Sequence, residues 1–405
     1  MVTQRRMRLD RKDHNNPSGA ADDQGEQRQG GESAQKADVD FAGGACRNPF
    51  GLRSTDLRDT IGVSTAALSD ILKKASARHF ERSTSKSGAA RTLHPDDVRA
   101  IFADRGFLFP LDQPEHTAHV IAVQITKGGA AKTTTSYVLS TRISAFGGKV
   151  LVVDADPQSN LTTAFELEQY GIEVDEDTAI LADLFDQQKR GELAVTVSDL
   201  IVKVTPNLHL IPSTLLNSNL EITLQRSAIN VERAFRLKFA EVLQQYDYII
   251  FDCAPALSST NAAIACFANT VLLPVYPDKL CISGLTQTLG ELERLKNQWP
   301  SIRQTMKERI IFGRFDAREV TSVHYMSRLY QDYPDKLYST YIRTSAELKN
   351  AIHFGRGLYD CGRRNGVADD FDKLVKAIIG LDAVTLRKKP ATRRVAVEKR
   401  GVRNA

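Results

Sequence analysis

The stretch Thr126–Ser136, "TKGGAAKTTTS", decides how the rest of the chain is read. It approaches the phosphate-binding pattern G-x-x-x-x-G-K-[ST]. Lys132-Thr133 supplies the final pair, but Thr126 and Ala131 stand at the two glycine positions, and Lys127 adds a second lysine before Gly128-Gly129. "VIAVQI" (120–125) precedes it and reads as a buried strand. "TTTSYVLSTRISAF" follows and reads as a helix closed by Gly147-Gly148. A loop between a parallel strand and a helix N-terminus is an anion site, because unpaired backbone N–H groups and the helix dipole point at the ligand. Gly128 and Gly129 let the backbone wrap phosphate oxygens. Lys132 can reach the β- and γ-phosphates, and the Thr133 hydroxyl can ligate Mg²⁺.

Working outward, short apolar runs alternate with helical stretches. Expected strands are "VIAVQI", "VLVVD" (150–154), "LHLIP" (208–212), "YIIFD" (248–252), "TVLLPV" (270–275) and "RIIFGRF" (309–315). Near-continuous apolar strands alternating with helices indicate a parallel sheet covered on both faces. The fold class is therefore α/β, a doubly wound, mostly parallel sheet. "FDKLVKAII" is its expected last helix, with Phe371, Leu374, Val375 and Ile378 on the face toward the sheet. Two further stretches end in acid: "VLVVDADPQSN" with Asp154 and Asp156, and "YDYIIFDCAP" with Asp252. Carboxylates at strand ends share the edge that carries the phosphate loop. There they can hold a metal or orient an attacking water.

Upstream of the sheet, "STDLRDTIGVSTAALSDILKKA" reads as helix, tight turn, helix. Gly62 serves the turn, Ser64 caps the second helix, and Leu68, Ile71 and Leu72 form its buried face. Pro95 opens a third helix faced by Val98, Ile101 and Phe102. The spacing is that of a small winged helix-turn-helix domain, although a docking module would read the same way. The divisions expected are a disordered polar N-terminus (1–46), the helical DNA-binding block (47–108), a proline-containing linker (109–118), the nucleotide-binding domain (119–383) and a basic tail (384–405).

Composition sets the outer bounds. The chain has 405 residues, 42% hydrophobic and 25% charged, which is ordinary for a soluble globular protein. No apolar run is long enough to cross a membrane, and "MVTQRRMRLDRKDHNN" lacks the apolar core of a signal peptide. Five cysteines (Cys46, Cys253, Cys266, Cys281, Cys361) with no C-x-x-C spacing read as reduced thiols of a cytoplasmic protein. Net charge is +5, yet Val384–Ala405 holds eight basic residues against one acid, +7, leaving −2 elsewhere. A basic tail on a near-neutral body points to a polyanion such as DNA, with a solubilising end as the bland alternative.

Lys127-Gly128-Gly129-x-x-Lys132-Thr133 resembles the deviant Walker A loop of ParA-type partition ATPases, within the ParA/MinD superfamily. "DADPQSNLT" and "YDYIIFDCAPAL" resemble that family's second motif and Walker B. "LLPVYPDKLCISGL" (272–285) resembles the segment that passes the nucleotide base, and "IRTSAELKNAIHFGRGLYD" (342–360), with Asp360, the C-terminal segment of plasmid partition proteins. The resemblance runs over about 119 to 380. It implies a P-loop NTPase that binds ATP and Mg²⁺ through Lys127, Gly128, Gly129, Ala130, Ala131, Lys132, Thr133, Thr134 and Pro277. Thr133, Asp154 and Asp252 would serve the metal, and Asp156 the attacking water. Lys127 would reach the phosphates of a partner subunit, so that ATP holds a homodimer together. Two positions depart from many members: Ala131 where glycine is frequent, and Ile125 where a polar residue is. Neither removes a charge, so turnover rate is affected before binding.

By the same resemblance the chain is expected to act in DNA segregation. The ATP-bound dimer would bind DNA without sequence preference at the nucleoid, and a centromere-bound ParB-type partner would stimulate hydrolysis. The helical block would repress its own operon, as in larger plasmid members. Candidate DNA contacts are Lys73, Lys74, Lys86 and Arg91 in that block, and Arg314, Arg318, Arg328 and Arg343 in the C-terminal half. Rival readings are an ATP-switched, sequence-specific transcription regulator and, ranked last because the tail is poor in apolar residues, a MinD-like membrane-positioning ATPase.

Overall fold

A computed structural model describes residues 50–74, 92–175, 177–185, 195–226, 230–358 and 366–381. The expected N-terminal segment 1–46, the basic tail, Lys86, Arg91, Asp360 and the side chain of Lys74 lie outside the described residues. In chain order the elements are β1 (Leu52–Arg53), α1 (Ser54–Ile61), α2 (Thr65–Lys74), β2 (Thr92–Leu93), α3 (Pro95–Ala103), β3 (His119–Val123), α4 (Lys132–Ala145), β4 (Val150–Asp154), α5 (Asn160–Ala164), β5 (Val202–Thr205), β6 (Leu208–Ile211), α6 (Ser218–Arg226) and α7 (Ala234–Lys238). They continue with β7 (Tyr248–Asp252), α8 (Ser259–Phe267), β8 (Thr270–Val275), α9 (Lys279–Gln298), α10 (Pro300–Arg303), β9 (Lys307–Phe315), α11 (Val320–Asp332), β10 (Leu337–Arg343), α12 (Ala346–His353) and α13 (Gly366–Ile379).

β3 to β10 form one sheet in the order β10-β9-β8-β3-β7-β4-β6-β5. Every pairing is parallel except β5 with β6. The central strands are buried along their whole length, which is why they read as continuous apolar runs. Successive side chains nevertheless serve opposite faces. Leu151, Val153, Ile249 and Phe251 enter a core with α6 to α11, whereas Val150, Val152, Tyr248 and Ile250 enter a second core with α4, α12 and α13.

Helix α4 is polar in sequence and yet buried around nearly its whole circumference. Several of its hydroxyls are satisfied by the helix's own backbone: Thr135 Oγ1 donates to the Ala131 carbonyl at 2.8 Å and Thr141 Oγ1 to that of Tyr137 at 2.8 Å. Arg142 forms a buried two-point pair with Asp372 of α13, at 2.6 and 3.0 Å. The face of α13 expected to meet the sheet does so, against β10 and α4.

The helical block follows the expected local pattern. Gly62 takes φ 65° between α1 and α2, Ser64 Oγ accepts from Ala67 N at 3.2 Å, and Pro95 opens α3. Its apolar residues Leu57, Ile61, Val98, Ile101 and Phe102 belong to the same buried cluster as α4 and α13. The stretch read as a linker is tied down: Phe109 is buried, and Leu111 N donates to Asp247 Oδ1 at 2.7 Å. Arg99 of α3 pairs with Asp247 at 2.6 Å and Asp112 at 2.8 Å, and donates to the Gly147 carbonyl at 3.0 Å.

Candidate nucleotide site

The register puts Asp154 and Asp252 side by side at the C-terminal ends of β4 and β7, with Val123 of β3 beside Asp252. The loop leaving β3 turns into α4 directly above them. Thr133 Oγ1 donates to Asp252 Oδ2 at 2.7 Å, and Ser136 Oγ to its other oxygen at 3.0 Å. Lys132 is buried, which lowers its pKa, while the fields of Asp252 and Asp156 act the other way. Burial pushes the Asp252 carboxyl up to about 6. Bringing charge of the opposite sign to this lysine, and a cation to this carboxylate, would relieve both costs.

Gly128 and Gly129 are exposed, and a Cβ at either would meet nothing within 4 Å, so their backbone is open to a ligand. Gly129 takes φ 72°, and Ala131, at the missing glycine, takes φ 64°. The loop therefore has the conformation a glycine would allow, held by an alanine at about 1 kcal/mol of backbone strain.

A cavity of about 710 Å³ opens from this loop, within the range of small-ligand sites. Gly128 to Thr135, Asp156, Pro255, Tyr276, Arg314, Arg343, Thr344 and Lys349 are among its lining residues. Asp156 is buried at the loop's edge and accepts from Gln158 N at 3.0 Å.

Three expected roles are set against the surroundings of their residues. Asp154, read as a metal residue, is spent on its own loop. Its oxygens accept from Thr162 N, Thr162 Oγ1 and Asp156 N at 2.9, 2.8 and 3.2 Å, and burial, then the Asp252 charge, push its carboxyl up to about 8. Pro277, read as a base contact, directly follows Tyr276, which lines the cavity. Arg314 and Arg343, read as DNA contacts, line the nucleotide cavity. Arg314, at φ 52°, lies 4.8 Å over the Tyr276 ring. Arg343 is engaged by Asp370 at 2.7 and 2.8 Å. The other two candidates in that half are on the surface beside their own acids, Arg318 with Asp316 and Arg328 with Asp332. Lys73 is exposed on α2. Lys127 sits outside the cavity lining, with its backbone against Gly284 of α9. Sequence reasoning did not single out the lining residues Tyr276, Thr344 and Lys349, although all three lie in stretches quoted for the resemblance.

Among the described residues no group of three His, Cys, Asp or Glu is arranged to hold a metal. The donor set that exists, the Thr133 hydroxyl and the Asp252 carboxylate it bonds, suits a hard cation that takes most of its ligands from phosphate and water. That is how Mg²⁺ is bound beside nucleotides.

A parallel sheet with a lysine-threonine phosphate loop and a strand-end carboxylate bonded to that threonine defines a P-loop nucleotide hydrolase. Residues 118–307 match the family model described as an AAA domain. The chain is 30% identical to the sporulation initiation inhibitor protein Soj of Bacillus subtilis, over 64% of this chain and 97% of that one. It is equally identical to the chromosome partitioning protein ParA of Caulobacter vibrioides, over 60% of this chain and 87% of the other. Among solved structures, a Cyanothece McdA–ATP complex matches with TM-score 0.58 at 24% identity, covering 66% of this chain and 98% of that one. A Borrelia burgdorferi plasmid partition protein matches with TM-score 0.54 at 20% identity, over 65% and 99%; both share the fold. The chain belongs to the ParA-type family of partition ATPases.

Proposed function

We propose that this chain is a DNA-segregation ATPase that binds ATP with Mg²⁺ and works as an ATP-dependent homodimer. The observation that carries the reading is the Thr133–Asp252 pair under a loop with two lysines, one buried at the cavity and one outside it. Lys132 and the helix N-terminus would hold the β- and γ-phosphates. Thr133 and Asp252 would hold Mg²⁺, which when bound neutralises phosphate charge as the bond to the leaving group breaks. Asp156 would orient the attacking water. Lys127, outside its own cavity, is free to serve a partner's phosphates. A partner face is also supported by exposed leucines on the segments that follow strands at the same sheet edge: Leu215 and Leu216 after β6, Leu257 after β7 and Leu280 in the first turn of α9 after β8.

DNA binding, stimulation by a centromere-bound ParB-type partner and association with the nucleoid follow from family membership and from the basic tail in the sequence. Repression of the chain's own operon would use the α1–α2 pair, whose turn geometry and exposed Lys73 suit a helix-turn-helix. The MinD-like alternative gains no support from α13, whose apolar face is covered by β10 and α4. The test is Lys132→Ala in a plasmid-retention assay. Near-complete loss of segregation is expected, and normal retention would sink the proposal. DNA binding should weaken steeply as salt rises, because several phosphate contacts release counterions.

A further inference from the structure

The loop before Lys132 raises a mechanical question. Lys127 is followed by two glycines at which an added Cβ would meet nothing within 4 Å. What precedes it is fixed. Thr126 N donates to Thr288 Oγ1 at 3.2 Å, Thr126 Oγ1 donates to the Gly284 carbonyl at 3.1 Å, and Thr288 Oγ1 donates to that same carbonyl at 2.8 Å. Thr288 is buried. A Cβ on Gly284 would lie 3.1 Å from Thr126 Oγ1 and 3.3 Å from Lys127 Cβ, so the loop rests directly on the backbone of α9 at the one residue that leaves room for it.

Helix α9 is anchored at its own start. Asp278 accepts from Leu280 N at 2.9 Å and Cys281 N at 3.1 Å, and the Cys281 sulfur accepts from Tyr276 N at 3.5 Å. Tyr276 is part of the cavity wall. The first turns of α9 thus hold the wall of the nucleotide cavity and the root of Lys127 together.

We propose that Thr126, Gly284 and Thr288 form a positioning clamp that aims Lys127 across the subunit boundary. The clamp reduces the conformational freedom the lysine loses on meeting a partner's phosphates, and it ties that aim to the cavity wall. This rests on the reading that Lys127 serves in trans. The clamp residues touch no reacting atom; they act through Lys127.

The test is a double-mutant cycle on the full chain. ATP-dependent dimerisation is measured by analytical ultracentrifugation with a non-hydrolysable ATP analogue, and monomer binding by fluorescent ATP titration. Thr288→Val removes the bond from Thr126 N and the one to the Gly284 carbonyl, and should weaken dimerisation by about 5–10-fold while monomer affinity stays within about twofold. Thr288→Ser should restore it. In a Lys127→Ala background Thr288→Val should cost nothing further. An equal loss in both backgrounds, no loss in the native background, or failure of the serine to rescue would each overturn the clamp. If Thr288→Val does not fold, Gly284→Ala carries the same cycle, since its methyl presses on Thr126 and Lys127 and leaves the carbonyl in place. Lys127→Ala that dimerises like the native chain would overturn the trans reading, and the clamp with it.

Discussion

Helix α4 has a glycine pair near each end, and the two pairs live under opposite rules. At Gly128-Gly129 an added Cβ meets nothing within 4 Å. At Gly147 it would meet the Pro95 carbonyl at 2.6 Å and the Arg99 backbone at 2.8 Å, and φ there is 93°. The first pair is open because a ligand must approach it. The second is closed because α3 has been packed onto it and bolted by the Arg99–Asp247–Asp112 network. One helix thus runs from a site of function, where backbone is left bare, to a site of stability, where no space remains. A glycine in sequence means either, and only its surroundings tell which.

The comparison breaks most readily at the closed end. Gly147→Ala should cost about 3 kcal/mol, from a disallowed φ plus a backbone clash, read as a lowered denaturation midpoint. Gly128→Ala should leave that midpoint within about 0.5 kcal/mol while weakening ATP binding. Equal stability losses at both ends would dissolve the contrast.

A second expected effect comes from the carboxylates beneath the open end. Asp154 and Asp252 have folded pKa values raised to about 8 and about 6, chiefly by burial. These two carboxyls therefore hold more protons in the folded chain than in the unfolded one between about pH 4 and 8, and their contribution to stability falls as pH rises through that window. Buried His209, pushed down to about 4, and His119, also lowered by burial, act the other way below about pH 6.5. Between pH 5 and pH 8 the melting temperature of the nucleotide-free native chain should therefore fall relative to that of Asp252→Asn. An identical pH dependence in the two would contradict the burial argument. The smallest expected effect sharpens the same end: Ala131→Gly should shift stability by no more than about 1 kcal/mol, because relieved strain is offset by a more flexible unfolded chain. If it raises ATP turnover, the alanine is a brake on the loop.

Much of this was legible in sequence for a physical reason. β4, β7 and β8 are buried on both faces, so their apolar runs mark their bounds, and two of them end in the acids that meet the loop. β5 and β10 were missed because edge strands mix polar residues, as in "VKVT" and "LYSTYIR". The place of Arg314 and Arg343 in the cavity wall was not legible for a related cause. Their ends of β9 and β10 lie near the phosphate loop only through the order β10-β9-β8-β3, a long-range fact no local pattern carries. Asp154 looked like a second metal residue because a strand-end acid looks the same whether it faces a cation or caps its own loop.

The central claim is that Lys127, the first lysine of "TKGGAAKTTTS", works on a partner's nucleotide. The most direct measurement is specific ATPase activity across a wide range of protein concentration, at saturating ATP and Mg²⁺. Activity per chain is expected to rise with concentration in the native protein and to stay low and flat in Lys127→Ala. Activity per chain that is independent of concentration in the native protein, down to the detection limit, would contradict it.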